Sequence, residues 1–190
     1  MEAFLVSTGV VVLSEIGDKT QLLAFLLAAR FKRPVPIVLG ILTSTLLNHT
    51  AAGAFGTWLA AQMGPAALRW IIGIGFLVMA IWMLIPDKAN EQAVGSKQRF
   101  GVFGTTVLAF FLAEMGDKTQ IATVALAARY EALVPVVAGT TLGMMLADVP
   151  AVLLGDAIAK KISMPLVHGI AAGVFAVLGA LTLFNVGSLF

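Results

Sequence analysis

The chain has 190 residues, of which 59% are hydrophobic and 12% are charged, with a formal net charge of +2. Soluble globular domains carry about 45–50% apolar and about 25% charged residues, so this composition and a mean hydropathy of +0.99 exclude a soluble enzyme, a disordered chain and a nucleic-acid binder. The chain has no cysteine, which excludes disulfides and thiolate metal ligands.

Apolar segments of membrane-spanning length follow one another along the chain. A transmembrane helix needs about 20 mostly apolar residues, and the sequence predicts six such spans. They cover residues 3–29, 35–62, 67–85, 102–129, 134–158 and 165–186. The only long polar break is a linker at 87–100, which separates residues 1–86 from residues 101–190. The predicted fold class is therefore an all-α integral membrane protein with six transmembrane helices.

The two halves are copies of one unit. The segment EIGDKTQ at 15–21 recurs as EMGDKTQ at 114–120, 99 residues later. Three spans in each half make the second copy enter the membrane from the opposite side, and such inverted three-helix repeats are typical of secondary transporters. Most basic loop residues fall on one predicted side: Arg30, Lys32, Arg33, Lys88, Lys97, Arg99, Lys160 and Lys161. The positive-inside rule makes that side cytoplasmic and both termini periplasmic.

Each copy of the motif lies in the middle of a predicted span, where a single charge costs about 2.5–3.5 kcal/mol on insertion scales. In a continuous helix the spacing i, i+3, i+4 puts Glu15, Asp18 and Lys19 on one face, and Gly17 would permit local unwinding. The second copy repeats this arrangement. The predicted metal ligands are Glu15, Asp18, Gln21, Glu114, Asp117 and Gln120.

This ligand set consists of oxygen atoms, which suits Ca²⁺, Mn²⁺ or Mg²⁺. Four carboxylates and the two ammonium groups of Lys19 and Lys118 leave a net charge of −2. One divalent cation or two protons would neutralise that charge, which gives a physical basis for cation/proton exchange. The alternative is a structural Glu–Lys salt bridge within each helix. The surplus carboxylate in each motif weighs against it, because an uncompensated buried charge adds no stability.

Other polar residues inside the spans are candidates for a polar or proton pathway. They are Lys19, Thr20, Lys118, Thr119, Asn48, His49 and Asp148. Asp148 is either a further ligand or proton carrier, or the partner of a neighbouring helix. His49 relays protons or makes an interhelical hydrogen bond. The pairs Gly139/Gly143 and Gly169/Gly173 predict close helix contacts, within the bundle or in a homodimer.

The duplicated E-x-G-D-K-T motif resembles that of the family known as uncharacterised protein family 0016, which comprises small cation/proton exchangers. The resemblance covers almost the whole chain. It implies transport of Mn²⁺ and Ca²⁺ coupled to protons, with Glu15, Asp18, Glu114 and Asp117 as central residues. For a short bacterial-type form it implies manganese export across the inner membrane, with no permanently bound cofactor. The choice of Mn²⁺ over Ca²⁺ comes from the resemblance alone.

Three other functions are alternatives to cation/proton exchange. An exporter of a cationic amino acid such as lysine could hold an ammonium group on the same carboxylates. A membrane enzyme or assembly factor has no support, because the sequence offers no nucleophile–base pair and has only two histidines. A channel would conduct rapidly, whereas buried counter-charges favour slow, tight binding. The chain has no G-x-x-x-x-G-K-[ST] motif, so we expect an ion gradient and not a nucleotide to drive transport.

Overall fold

A computed structural model describes residues 1–85, 100–154 and 164–185, which form eight α-helices. They are α1 (Glu2–Glu15), α2 (Lys19–Phe31), α3 (Pro34–Gln62), α4 (Pro65–Met83), α5 (Gly101–Glu114), α6 (Lys118–Tyr130), α7 (Leu133–Leu154) and α8 (Met164–Leu183). The predicted linker at 87–100 lies outside the described residues except for Phe100. So do the ends of the predicted fifth and sixth spans, residues 155–158 and 186.

Four of these helices are long and apolar enough to cross a membrane. They are α3, α4, α7 and the part of α8 from Pro165 to Leu183. The remaining four helices form two pairs, α1 with α2 and α5 with α6, and each helix in these pairs has only 13 or 14 residues. The all-helical membrane character predicted from composition is confirmed at this level.

The predicted spans 3–29 and 102–129 are not continuous helices. Each is broken at the motif, so the prediction that the motif residues share one helical face is wrong. The cause is the backbone at the two motif glycines, where φ is +86° at Gly17 and +72° at Gly116. This left-handed region costs a residue with a Cβ atom about 1–2 kcal/mol, so glycine favours it. Asp18 and Asp117 follow in extended conformation at the N-cap positions of α2 and α6, where the Asp117 side chain accepts a hydrogen bond from Thr119 N.

In each broken pair, the first helix packs against a long helix from the other half of the chain. Glycines of the long helix allow the close approach. A methyl group added to Gly139 of α7 would meet the Phe4 carbonyl oxygen of α1. A methyl group added to Gly40 of α3 would lie 3.1 Å from the Phe103 carbonyl oxygen of α5. The two contacts are related by the same 99-residue offset as the motifs. This close packing confirms the predicted interhelical role of Gly139.

Helices α4 and α8 pack on each other through a different pair of glycines. A methyl group on Gly73 would lie 2.5 Å from Leu183, and one on Gly179 would lie 2.9 Å from Leu77. The Phe76 and Phe175 rings are 6.1 Å apart in the core between these helices. In contrast, Gly169 and Gly173 have no described atom within 4 Å of an added methyl group. Their predicted role in close packing is therefore not met within the described bundle.

Candidate metal centre

Three carboxylates meet at the two helix breaks. Glu15 is the last residue of α1, Asp18 precedes α2, and Asp117 precedes α6. Each offers one oxygen atom, and the three oxygen atoms lie within 4.8 Å of one another. All three side chains are buried. The break places these carboxylates together because it ends one helix and starts the next at the same depth. We refer to Glu15, Asp18 and Asp117 as the carboxylate cluster.

The two lysines of the motifs pair across the halves of the chain. Lys19 Nζ lies 2.6 Å from Asp117 Oδ1, and Lys118 Nζ lies 4.0 Å from Asp18 Oδ1. Lys118 Nζ also donates a hydrogen bond to the Ile85 carbonyl oxygen at 3.3 Å. Lys118 is almost completely buried, whereas 26% of the Lys19 side chain is exposed. Each aspartate is therefore neutralised by the motif to which it does not belong.

Glu114 is held by α3 and is not part of the carboxylate cluster within the described residues. Thr45 Oγ1 donates to its Oε1 at 3.1 Å, and Asn48 Nδ2 donates to its Oε2 at 3.1 Å. Both donors are neutral and all three side chains are buried. Glu114 thus has a hydrogen-bond donor for each oxygen atom, which lowers the cost of burying this polar group.

Glu15 and Asp148 have no such partners. Among the residues that the structure describes, no group donates a hydrogen bond to either carboxylate, and both side chains are fully buried. Asp148 lies on α7 next to Ala147, whose carbonyl oxygen accepts a hydrogen bond from Gln21 of α2. A buried carboxylate without a partner is costly, so these two groups need a cation or a proton. Within the described residues, the charges of Glu15 and Asp148 are therefore not compensated by a hydrogen-bond donor.

The two motif glutamines hold the helix breaks. Gly17 N donates to Gln21 Oε1 at 3.0 Å, and Gly116 N donates to Gln120 Oε1 at 2.7 Å. Gln21 Nε2 in addition donates to the Ala147 carbonyl oxygen of α7 at 3.1 Å. Each amide oxygen thus accepts from a backbone N–H that the broken helix leaves without an intrahelical partner. The sequence pattern predicts both glutamines as metal ligands and does not indicate this capping geometry.

The remaining pathway candidates are buried and differ in their contacts. Thr119 Oγ1 contacts Asp117 Oδ2 at 3.4 Å, so this threonine touches a cluster residue. The Thr20 hydroxyl and both ring nitrogens of His49 are buried and have no hydrogen-bond partner within the described part of the chain. Asn48 contacts Glu114, as described above. The interhelical hydrogen bond that is one alternative for His49 is therefore not formed with a described residue.

Two features of the site could not be read from helical spacing. The alternative of a structural salt bridge would join Glu15 to Lys19 within one helix, but the break makes Lys19 face Asp117 instead. Hydroxyls within the spans are expected to serve packing, yet that of Thr45 contacts Glu114. The glycine in each motif is the sequence feature that could indicate the pairing of each lysine with the other motif. A helix break at this glycine turns the following aspartate and lysine away from the preceding helix.

Comparisons with known proteins place the chain among cation transporters. A family model described as divalent cation/proton antiporter GDT1 matches residues 3–91 and 102–188. The "Putative manganese exporter" of Vibrio cholerae is 45% identical over 186 residues, which cover 97% of this chain and 92% of that protein. The GDT1-like protein sll0615 of Synechocystis is 32% identical over 199 residues, covering 93% and 96%.

A plant relative extends the same similarity. The GDT1-like protein 3 of Oryza sativa is 28% identical over 188 residues, which cover 85% of this chain and 66% of that protein. No solved structure gives a significant match to the chain. These matches confirm the resemblance drawn from the duplicated motif and give no support to an amino-acid exporter. The chain belongs to the family of GDT1 divalent cation/proton antiporters, which are transporters and not enzymes.

Proposed function

We propose that this protein exports Mn²⁺ across a bacterial inner membrane in exchange for protons. The observation that carries the proposal is the carboxylate cluster, because it is buried and draws its members from both copies of the motif. Oxygen ligands of this kind suit Mn²⁺ and Ca²⁺ alike. The name of the Vibrio cholerae relative, at 45% identity, favours Mn²⁺ as the substrate.

Charge balance supports exchange. Glu15, Asp18, Glu114 and Asp117 carry four negative charges when ionised, and Lys19 and Lys118 supply two positive charges. A divalent cation brings these six groups to neutrality, and so do two protons. The same carboxylates cannot bind the cation and the protons tightly at the same time. Binding of the cation therefore displaces protons, and binding of protons displaces the cation. Asp148 is a further buried carboxylate with no hydrogen-bond donor among the described residues, and its ionisation would require one more proton for neutrality.

The proposed architecture is six spans in two inverted three-helix repeats, residues 1–86 and 101–190, joined by a cytoplasmic linker at 87–100. Helix α1 is about 21 Å long at 1.5 Å per residue, less than the ~30 Å hydrocarbon core. With α2 it is long enough to cross. The matching contacts of Gly139 with α1 and of Gly40 with α5 support the repeat relation.

The orientation follows from the basic residues between α2 and α3. Lys32 and Arg33 stand there and Arg30 lies in the last turn of α2, and the positive-inside rule assigns this connection to the cytoplasm. Both termini are then periplasmic. The other basic residues used in this argument, Lys88, Lys97, Arg99, Lys160 and Lys161, lie outside the described part of the chain. Alternating access arises when one repeat rocks against the other around the cluster.

Flux measurements test this proposal. Purified protein is reconstituted in liposomes that contain a pH dye, the membrane voltage is clamped with K⁺ and valinomycin, and Mn²⁺ is added outside. We expect the interior to become alkaline as Mn²⁺ enters and protons leave. Asp18→Asn combined with Asp117→Asn abolishes the signal because both ions lose their ligands, and Glu131→Gln, an exposed acid outside the cluster, serves as the matched control.

Two results would contradict the proposal. Entry of Mn²⁺ without proton movement at clamped voltage would identify a uniporter or a channel. An undiminished signal in the double variant would mean that the ions pass elsewhere. Addition of Ca²⁺ in the same assay ranks the two cations, and addition of lysine checks the amino-acid alternative directly.

A further inference from the structure

The two motif glutamates are equivalent in the sequence, but the helices beside them are not. The position on α7 that corresponds to Thr45 is Met144, and the position that corresponds to Asn48 is Ala147, both at the 99-residue offset. Neither Met144 nor Ala147 has a side chain that can donate a hydrogen bond. The two donors that hold Glu114 therefore have no counterpart beside Glu15.

The structure supports this comparison by the way α7 lies against the first helix break. Gln21 Nε2 donates to the Ala147 carbonyl oxygen at 3.1 Å, so this part of α7 stands beside the α1–α2 break. Asn48 stands beside the α5–α6 break in the same way, because its amide nitrogen donates to Glu114 and to the Phe111 carbonyl oxygen at 3.3 Å. The second contact fixes the Asn48 amide to the helix that carries Glu114.

The difference in donors matches the difference in position. Glu15, which has no donor among the described residues, lies in the carboxylate cluster with Asp18 and Asp117. Glu114, which has a donor at each oxygen atom, lies outside that group. A carboxylate held by two neutral donors on a rigid long helix has less need of a cation than one with no donor.

We propose that Asn48, together with Thr45, is a positioning residue that holds Glu114 out of the carboxylate cluster. The divalent cation is then bound by Glu15, Asp18 and Asp117, and Glu114 acts as a fixed anchor and not as a ligand. The two halves of the site have different functions although their motifs are the same. This inference rests on the proposed function and specifies which carboxylates of that site touch the cation.

The first test compares the two glutamates directly. Mn²⁺ binding to the detergent-solubilised full chain is measured by calorimetry for the wild type, Glu15→Gln and Glu114→Gln. We expect Kd to rise at least ~30-fold in E15Q and less than ~3-fold in E114Q, because only the first change removes a ligand. Equal losses, or a larger loss in E114Q, would overturn the inference. A wild-type protein that binds no Mn²⁺ would instead refute the proposed function, so the two failures are distinguishable.

The second test removes the donors and keeps the shape of the side chains. Thr45→Val and Asn48→Leu are combined, and E114Q is then introduced into that background. If the two donors keep Glu114 away from the cation, their removal lets Glu114 bind it. E114Q then raises the Kd for Mn²⁺ at least ~10-fold in this background, compared with less than ~3-fold in the native background. Thr45→Ser, which keeps the hydroxyl, leaves the small cost of E114Q unchanged. A merely structural role of Asn48 would not alter the cost of a second substitution.

Two outcomes of the second test would contradict the inference. An unchanged cost of E114Q in the T45V/N48L background would show that the donors do not control access of Glu114 to the cation. Loss of all binding in a folded T45V/N48L protein would show that the donors support the site and do not withhold Glu114 from it. If that variant does not fold, the comparison of E15Q with E114Q in the native background decides the matter.

Discussion

The lysine side chains of the two motifs supply positive charge to a site whose other charged residues are acidic. Lys19 contacts Asp117 closely, whereas Lys118 lies 4.0 Å from Asp18. In a poorly hydrated environment, electrostatic interactions between such groups are stronger than in water. The ammonium groups therefore reduce the charge that a bound cation has to neutralise, and each of them competes with the cation for the carboxylate that it contacts.

Removing the buried ammonium group tests this competition. In Lys118→Met the site keeps all its carboxylates but loses one positive charge, so we expect tighter Mn²⁺ binding. Because a ligand that binds only the folded state raises its stability by mass action, Mn²⁺ should raise Tm more in K118M than in the wild type. Thermal unfolding in detergent, with and without Mn²⁺, measures the shift. The exposed Lys32→Met is the control, and an equal Mn²⁺-induced shift in K118M and the wild type would contradict the argument.

The sequence singles out the candidate site residues because charged residues inside an apolar span are costly and mark ion or proton pathways. Their mutual contacts are not predictable in this way. The sequence places Glu15 and Lys19 one helical turn apart, and only the backbone at Gly17 shows that Lys19 reaches Asp117. The difference between Glu15 and Glu114 is likewise hidden, since it depends on Thr45 and Asn48, which lie on another helix.

At the level of helices, the feature that creates the site is the break between α5 and α6, together with its counterpart between α1 and α2. Gly116 has φ of +72°, and a methyl group added there would meet no described atom within 4 Å. The cost of replacing it is therefore conformational and not steric. Gln120 completes the break by accepting from the Gly116 backbone N–H.

Replacing Gly116 by alanine should lower the free energy of unfolding by about 1–2 kcal/mol, the cost of a left-handed conformation for a residue with Cβ. Gly9→Ala is the matched control, because Gly9 lies inside α1 with open space around it and alanine favours a helix by about 0.5–1 kcal/mol. Chemical denaturation in detergent micelles measures both. If G116A is as stable as G9A, the glycine backbone does not determine the break.

The contact of α7 with α1 makes a second prediction at this scale. In Gly139→Ala the new methyl group meets the Phe4 backbone, which cannot rotate away, so α1 has to shift. Overpacking of this kind costs about 1–3 kcal/mol, and the shift moves Glu15 at the far end of α1. We expect lower stability and weaker Mn²⁺ binding in G139A. Gly75→Ala in α4, where no described atom is close, should leave binding unchanged, and similar binding losses in both variants would contradict this account.

Glycine patterns alone do not predict which helices pack. Gly139 and Gly173 both belong to a G-x-x-x-G pair, yet only Gly139 meets a neighbouring helix within the described residues. Small residues permit close approach but do not require it. The contact between α4 and α8 uses Gly73 and Gly179, which no such spacing selects. The all-helical membrane character is predictable because the membrane thickness sets the length of an apolar spanning segment.

For the whole molecule, the proposed topology makes opposite ends of α3 face opposite sides of the membrane. The chain has no cysteine, so single introduced cysteines report accessibility without background. We expect Lys32→Cys to react with a membrane-impermeant maleimide only from the cytoplasmic side and Gly64→Cys only from the periplasmic side. Labelling of intact and permeabilised cells checks this. The reverse pattern, or labelling of both positions from one side, would contradict the assignment of both termini to the periplasm.

In the proposed mechanism, one divalent cation and protons share the carboxylate cluster of the whole molecule. The most direct measurement is calorimetric titration of Mn²⁺ into the purified protein in buffers of different ionisation enthalpy, which gives the cation stoichiometry and the number of protons released together. We expect one Mn²⁺ per chain with release of protons, and loss of binding in Asp18→Asn combined with Asp117→Asn. Binding of Mn²⁺ without proton release, or binding that persists in the double variant, would contradict the claim.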